Sequence, residues 1–241
     1  MKPLIVAISV LMLGGCASNG QAPWAGLLAP GSCPKPSSDQ ELSLNLADDM
    51  ANEGKLHASL ANLQNLPATL PQVRQRQARA YRLLGRTEAE PLYRSLLGTC
   101  LAADGEHGLG QLASARGDNG QAMAHLQRAA RLAPTDEKIR NDLGVVYLDQ
   151  LRLEDARFEF MTAIELKQSD QLAAVNLVTL LIYQDNWEQA AKVVGQLGLS
   201  PEQVTQAQAR AQRIKGAAAA TVRPSKDQVA AVSDTLPASV K

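Results

Sequence analysis

Over its second half the sequence repeats every 34 residues, and that period restricts the fold more than any other feature. With blocks starting at 103, 137 and 171, Leu109, Leu143 and Leu177 fall in register. So do Gly110, Gly144 and Val178, then Ala122, Ala156 and Ala190, then Leu126, Phe160 and Val194, then Ala129, Ala163 and Leu197. A unit this short cannot bury its own apolar face, so it must stack on copies of itself. Inside each block the apolar residues recur at helical spacing, and Gly, Pro, Asn or Asp break the pattern every 12–17 residues. No convincing alternation of period two appears. Composition agrees: aromatics are 3% of residues, which disfavours strand surfaces.

The middle block, NDLGVVYLDQLRLEDARFEFMTAIEL, carries Leu143, Gly144, Tyr147, Ala156, Phe160 and Ala163. At these spacings it resembles the tetratricopeptide (TPR) family. Gly144 and Ala156 are small where two antiparallel helices approach, and Leu143, Tyr147 and Phe160 are expected to fill the space between successive pairs. Pro134 ends the first block as the family does; Gln168 in the second is a departure. Trp187 stands at a family aromatic position and is expected to pack. Upstream, Ala78, Tyr81, Gly85, Ala89 and Tyr93 fit a copy at about 71–102 with one residue deleted, and a more degenerate copy covers about 40–70. Downstream, Ser200-Pro201-Glu202-Gln203 reads as a capped helix start. Its stripe of Val204, Ala207, Ala211 and Ile214 suits a helix that seals the last repeat.

The expected fold is therefore all-α: a right-handed α-solenoid of TPR helix pairs over 37–200, with clear repeats at 103–136, 137–170 and 171–200. A C-terminal capping helix is expected at 201–216, ended by Gly216, and a disordered tail at 217–241.

At the other end, Leu4 to Leu13 is an apolar run too short to span a bilayer, and residues 1–15 read as a signal peptide. Leu13-Gly14-Gly15-Cys16 resembles the lipobox of bacterial lipoproteins. The resemblance implies a lipid on Cys16, and Ala17 in place of Asp implies the outer membrane, facing the periplasm. At about 0.8 kcal/mol per buried CH₂, such an anchor is effectively permanent. The alternative is an ordinary signal that precedes a buried cysteine. Residues 16–36, with four Pro and three Gly, read as a tether.

Chemistry is sparse. His57, His107 and His125 have no ligand-spaced neighbours, and no nucleophile, phosphate-loop or zinc motif occurs. Asp48-Asp49 and Glu154-Asp155 point different ways on helices. No catalytic residue, metal, cofactor or small-molecule substrate is expected. With 24 basic and 24 acidic residues, nothing suggests nucleic acid. Cys33 and Cys100 remain after lipidation. They form either a disulfide, as an oxidising compartment favours, or two free thiols. Both readings are structural.

TPR resemblance places the concave surface at repeat positions 2, 5, 9, 12 and 13. These are Asp104, His107, Gln111 and Ser114 in one block, and Lys138, Asn141, Val145, Leu148 and Asp149 in the next. The third block gives Leu172, Val175, Thr179, Ile182 and Tyr183. Only Lys138 and Asn141 fit the family's clamp for a terminal carboxylate, which argues against that mode. The groove drifts from polar to apolar, as an amphipathic helix or apolar peptide of a partner would need. The competing reading makes these apolar residues core, covered by the chain's own cap or tail.

LGVVYLDQLRLEDARFEFMTAIELKQSDQLAAVNLVTLLI, within residues 103–196, is most similar to the TadD family of TPR lipoproteins from Tad (Flp) pilus systems. That resemblance implies a non-enzymatic, pilotin-like assembly factor whose partner is an outer-membrane secretin or another pilus-assembly protein. The alternative is a TPR lipoprotein that regulates peptidoglycan synthesis or remodelling enzymes.

Overall fold

The computed structural model describes residues 32–169 and 171–222, so Cys16, the signal peptide and most of the tether lie outside the described residues. Among the described residues there are eleven helices and no strand. Five antiparallel pairs follow one another: α1 (Ser38–Asn52) with α2 (Leu56–Leu63), α3 (Pro71–Leu83) with α4 (Ala89–Arg94), and α5 (Ala102–Ala115) with α6 (Asn119–Leu132). Then come α7 (Glu137–Asp149) with α8 (Leu153–Leu166), α9 (Gln171–Tyr183) with α10 (Trp187–Leu197), and the single α11 (Pro201–Val222). Each pair packs on the next, which makes an α-solenoid.

Local sequence explains the starts. Ser37 and Gln40 cap α1 reciprocally, as Ser200 and Gln203 cap α11. Asp136 Oδ1 accepts from the Lys138 and Ile139 amides at the head of α7, and Asp118 and Asn186 cap α6 and α10. The ends of the first helices share one backbone solution. Gly85, Gly117, Leu151 and Asp185 all sit at φ between 57° and 76°, at the same repeat position. Glycine takes that left-handed conformation freely, whereas Leu151 is strained there by its Cβ. Leu151 is 42% exposed, so its side chain gains little by burial. Leu151→Gly is expected to raise the unfolding free energy by about 0.5–1 kcal/mol. A lower melting temperature in the variant would contradict this.

The core runs in three consecutive patches. Leu44, Ala47, Leu63 and Val73 join α1 to α3. Ala78, Ala89, Tyr93, Leu96 and Leu109 join α3 to α5, and a larger patch continues to Ala207 and Ala211 of α11. Leu109, Leu143, Tyr147, Leu177, Ala122, Ala156, Ala163 and Ala190 are all buried in these patches or beside them. Gly110 and Gly144 are buried too, because a partner side chain fills the place of their Cβ. A Cβ on Gly110 would lie 2.6 Å from Leu126 Cγ, and one on Gly144 would lie 2.6 Å from Phe160 Cε1.

Three expectations need correction. Phe160 fills space inside its own pair, over Gly144, rather than between pairs. Trp187 is 53% exposed, because the first turn of α10 projects it past its neighbours. Gly216 does not end the last helix, which continues to Val222. One interior glycine costs about 1 kcal/mol, and the four alanines that follow are the best helix formers.

Cys33 and Cys100 form a disulfide, with Cα atoms 5.1 Å apart. It fastens the segment before α1 to the α4–α5 connection, and Gln72 Nε2 donates to Pro34 O nearby at 2.9 Å.

Candidate protein-interaction site

The expected groove divides into two parts with different fates. α11 packs along α9 and makes no comparable contact with α10, so it lies on the first-helix side of the array. Four polar contacts hold it there. Gln203 Nε2 donates to Gln171 Oε1 at 3.0 Å, Arg210 Nη1 to Asn176 Oδ1 at 2.7 Å, and Lys215 Nζ to Asp185 Oδ1 at 2.6 Å. Arg210 Nη2 also reaches Asp149 Oδ1 at 3.5 Å.

Thr179 and Leu148 are fully buried and Ile182 is 4% exposed. Val175 and Tyr183 are partly buried against the same cluster as Ala207 and Ala211 of α11. The competing reading holds here: the apolar stretch is core in the free chain. A charge at Ile182 would therefore report on folding rather than on binding. Leu172 and Lys138, at the near end of these helices, stay exposed.

The open part lies over α3, α5 and α7. Three adjoining cavities mark it, of about 290, 250 and 230 Å³, and Gln111 borders all three. The first is lined by Arg79, Arg82, Asp104, His107 and Lys138 among others. The second adds Ser114 and Val145, and the third adds Asn141 and Leu172. A separate cleft of about 550 Å³ separates the outer half of α11 from the α7–α8 turn.

A chain of polar contacts runs under this surface from repeat to repeat. Gln75 Nε2 donates to Asp104 Oδ1 at 3.1 Å. His107 Nε2 lies 2.8 Å from Asp142 Oδ2, and Gln111 Nε2 donates to the same oxygen at 2.7 Å. Asn141 Nδ2 donates to Asp142 Oδ1 at 3.2 Å, and Asn176 Nδ2 to Asn141 Oδ1 at 2.8 Å. Arg210 completes it on Asn176. Asn141 is therefore a buried link rather than a groove contact: it is 4% exposed.

The network sets two carboxyls apart. Burial pushes Asp104 above the ordinary carboxylate range, against the hydrogen bond from Gln75. Burial pushes Asp142 the same way, but the His107 hydrogen bond and charge, with Gln111 and Asn141, outweigh it and hold the group below its ordinary value. A carboxyl lowered by folding stabilises the native state above its unfolded value and loses that contribution as pH falls through the folded one. Asp142→Asn is thus expected to cost about 1–2 kcal/mol near pH 7, and the gap to the parent should narrow as pH falls below the ordinary carboxylate range and through the lowered value of Asp142. Urea melts at neutral pH and in acid would check it; an undiminished gap in acid would contradict it.

The sequence shows no ligand-spaced neighbour for His107 or His125. Both bond to a carboxylate on a neighbouring helix, His125 Nδ1 lying 2.6 Å from Glu106 Oε2. Arg79 and Arg82 are absent from the expected groove. With α3 starting at Pro71, these occupy repeat positions 9 and 12, which the degenerate copy left unassigned. Among the described residues no group of His, Cys, Asp or Glu could hold a metal, and no helix is long and apolar enough to cross a membrane.

No protein-family model matches the chain. The TPR repeat-containing protein PA4299 of Pseudomonas aeruginosa is 42% identical over 213 residues, which cover 88% of this chain and 85% of that protein. Among solved structures, TTC0263, a thermophilic TPR protein of Thermus thermophilus, aligns with a TM-score of 0.55 at 17% identity. The alignment covers 72% of this chain and 97% of that one. Pseudomonas aeruginosa pilF aligns with a TM-score of 0.58 at 16% identity, covering 73% and 84%. At such identities the two structures speak for the fold, while the sequence relative speaks for kinship. TPR proteins bind protein partners and typically act as non-enzymatic scaffolds. With five helix pairs, a 34-residue period and a 42%-identical relative of that description, this chain belongs to the family of TPR repeat-containing proteins.

Proposed function

We propose that this TPR scaffold is a lipoprotein of the outer membrane, facing the periplasm, and serves pilus assembly as a pilotin-like carrier of a Tad (Flp) secretin. Lipid on Cys16 supplies the membrane address, and the solenoid supplies the grip. The observation that carries the reading is the open first-helix surface over α3, α5 and α7, with three adjoining cavities meeting at Gln111. Such a surface suits a segment of another protein, and nothing along it is arranged for covalent chemistry. The Cys33–Cys100 disulfide supports an exported, oxidising location. The sequence of 103–196 supports the pilus system through its likeness to TadD.

The test is a mild-detergent pull-down of the tagged full-length chain from native envelopes, with co-purifying proteins identified by mass. Recovery of a secretin supports the proposal. Recovery of cell-wall enzymes without a secretin overturns it in favour of a wall-regulating lipoprotein. For the address, Cys16→Ser is expected to move the chain out of the outer-membrane fraction; unchanged fractionation would remove the lipid from the account.

A further inference from the structure

The two ends of the solenoid are finished differently. At the last end, α11 lays Ala207 and Ala211 against the core. At the first end, among the described residues, no helix precedes α1, and residues 32–37 lead into it without regular structure. A terminal solenoid helix needs a polar outer face, because no further repeat covers it. α1 departs from that rule. Leu44 and Ala47 are buried in the core, whereas Leu42 is 69% and Leu46 46% exposed. These two stand one turn apart on the opposite side of the helix, with Met50 a further turn on and half-buried.

The segment ahead of Cys33 has the complementary need. Residues 17–32 carry no charged side chain, and their large apolar residues are Trp24, Leu27 and Leu28. A solvated linker gains nothing from a tryptophan and two leucines; Gly, Ser and Pro serve it better. The point from which this segment departs is fixed, since Cys33 is bonded to Cys100 and Pro34 O accepts from Gln72 Nε2. Cys33 stands five residues before Ser38, at most about 17 Å of extended chain. Leu46 lies about 12 Å further along the helix, so both leucines are within about 29 Å of Cys33. Trp24 is nine residues ahead of Cys33, a reach of about 30 Å.

Charge narrows the choice of occupant. α1 carries Asp39, Glu41, Asp48 and Asp49 and no basic residue. Asp39 and Asp49 are exposed, each three residues outside the leucine pair, so they flank it. A second copy docked through the same strip would bring two acidic rims together, and an anionic lipid surface would meet the same repulsion. An uncharged segment meets none. We infer that the segment around Trp24, Leu27 and Leu28 folds back along α1 and covers Leu42 and Leu46. The docking itself depends neither on the lipid nor on the pilus reading. With lipid on Cys16, as proposed above, it leaves the stretch from Cys16 to Trp24 as free tether, about 26 Å when extended. The first helix pair is then held close to the membrane.

The test uses the full-length chain in mild detergent, with Trp187→Phe so that Trp24 is the remaining tryptophan. Trp187 is half exposed, so the change is mild. Iodide quenching then reads the exposure of Trp24. Trp24 is expected to be shielded, and Leu42→Gln with Leu46→Gln to remove the shielding. Reciprocally, Trp24→Ser with Leu28→Ser should speed amide exchange of α1 by about tenfold, the effect of uncovering one apolar side chain. This second variant leaves every described residue unchanged, so it decides the matter where the leucine variant loses its fold. Equal quenching in parent and leucine variant would overturn the inference: if strong, the segment lies in solvent, and if weak, Trp24 lies in detergent or lipid. Shielding that is lost on dilution would overturn it in favour of a second copy. Unchanged exchange of α1 in the tether variant would overturn it as well. No partner enters these assays, so their failure and a failure of the envelope pull-down are separate results.

Discussion

Phe160→Ala is expected to lower the unfolding free energy by about 3–5 kcal/mol. The ring is fully buried in the largest core patch, inside the α7–α8 pair and against Gly144. Its loss leaves a cavity that neighbouring helices can only partly close. In a solenoid, each pair is held by its neighbours, so a weakened central pair also loosens the docking of α5–α6 and α9–α10. Gly144→Ala tests the same contact from the other side. Its Cβ would lie 2.6 Å from Phe160 Cε1 and 2.7 Å from Cδ1, so the ring must shift, at about 1–3 kcal/mol. Once Phe160 is Ala, that obstacle is gone, and the better helix propensity of alanine should make Gly144→Ala neutral or stabilising. A double-mutant cycle in urea reads this change of sign. Additive costs would contradict the packing described for this pair.

Loss of the Cys33–Cys100 bond is the second large effect. The bond closes a loop with a sequence separation of 67 residues. Loop-closure entropy for that span is worth about 4 kcal/mol. Reductant, or Cys33→Ser with Cys100→Ser, should therefore lower the urea midpoint of the N-terminal pairs by the corresponding amount. The effect belongs to these pairs because their own helices are short: α2 has eight residues and α4 has six. The patch joining α1 to α3 holds just four fully buried apolar residues. Reductant should have no effect on the serine double variant. An equal response in parent and variant would mean that the bond does not carry this stability.

The repeat was legible in the sequence from 103 to 200 because its period is unbroken there, and small residues recur where helices meet. Gly110 and Gly144 announce a close approach; what fills it, Leu126 or Phe160, follows from the register. Upstream, Ala78 and Tyr81 already set the register that puts Arg79 and Arg82 at concave positions, but the concave positions were read only in the three clear blocks. That the last helix seals the last repeat was legible, but not the helix it packs on. Its stripe of Val204, Ala207, Ala211 and Ile214 shows that one side must be buried, but not against which helix. That choice depends on Arg210 meeting Asn176 and Lys215 meeting Asp185, 34 and 30 residues away in sequence. The same limit hid His107 from Asp142, whose partnership crosses from one repeat into the next.

These contacts divide the solenoid into a sealed end and an open end. α11 covers the apolar first-helix residues of α9, while α3, α5 and α7 keep their polar surface accessible. The proposed function requires this open surface to capture a protein partner in outer-membrane assembly. The most direct measurement is site-specific photo-crosslinking in living cells, with the photoreactive residue placed at Gln111 and, as a comparison, at Phe158, which is 63% exposed on a second helix. A secretin adduct is expected from Gln111 and none from Phe158. A secretin adduct from Phe158 alone, or adducts from Gln111 with wall enzymes alone, would contradict it.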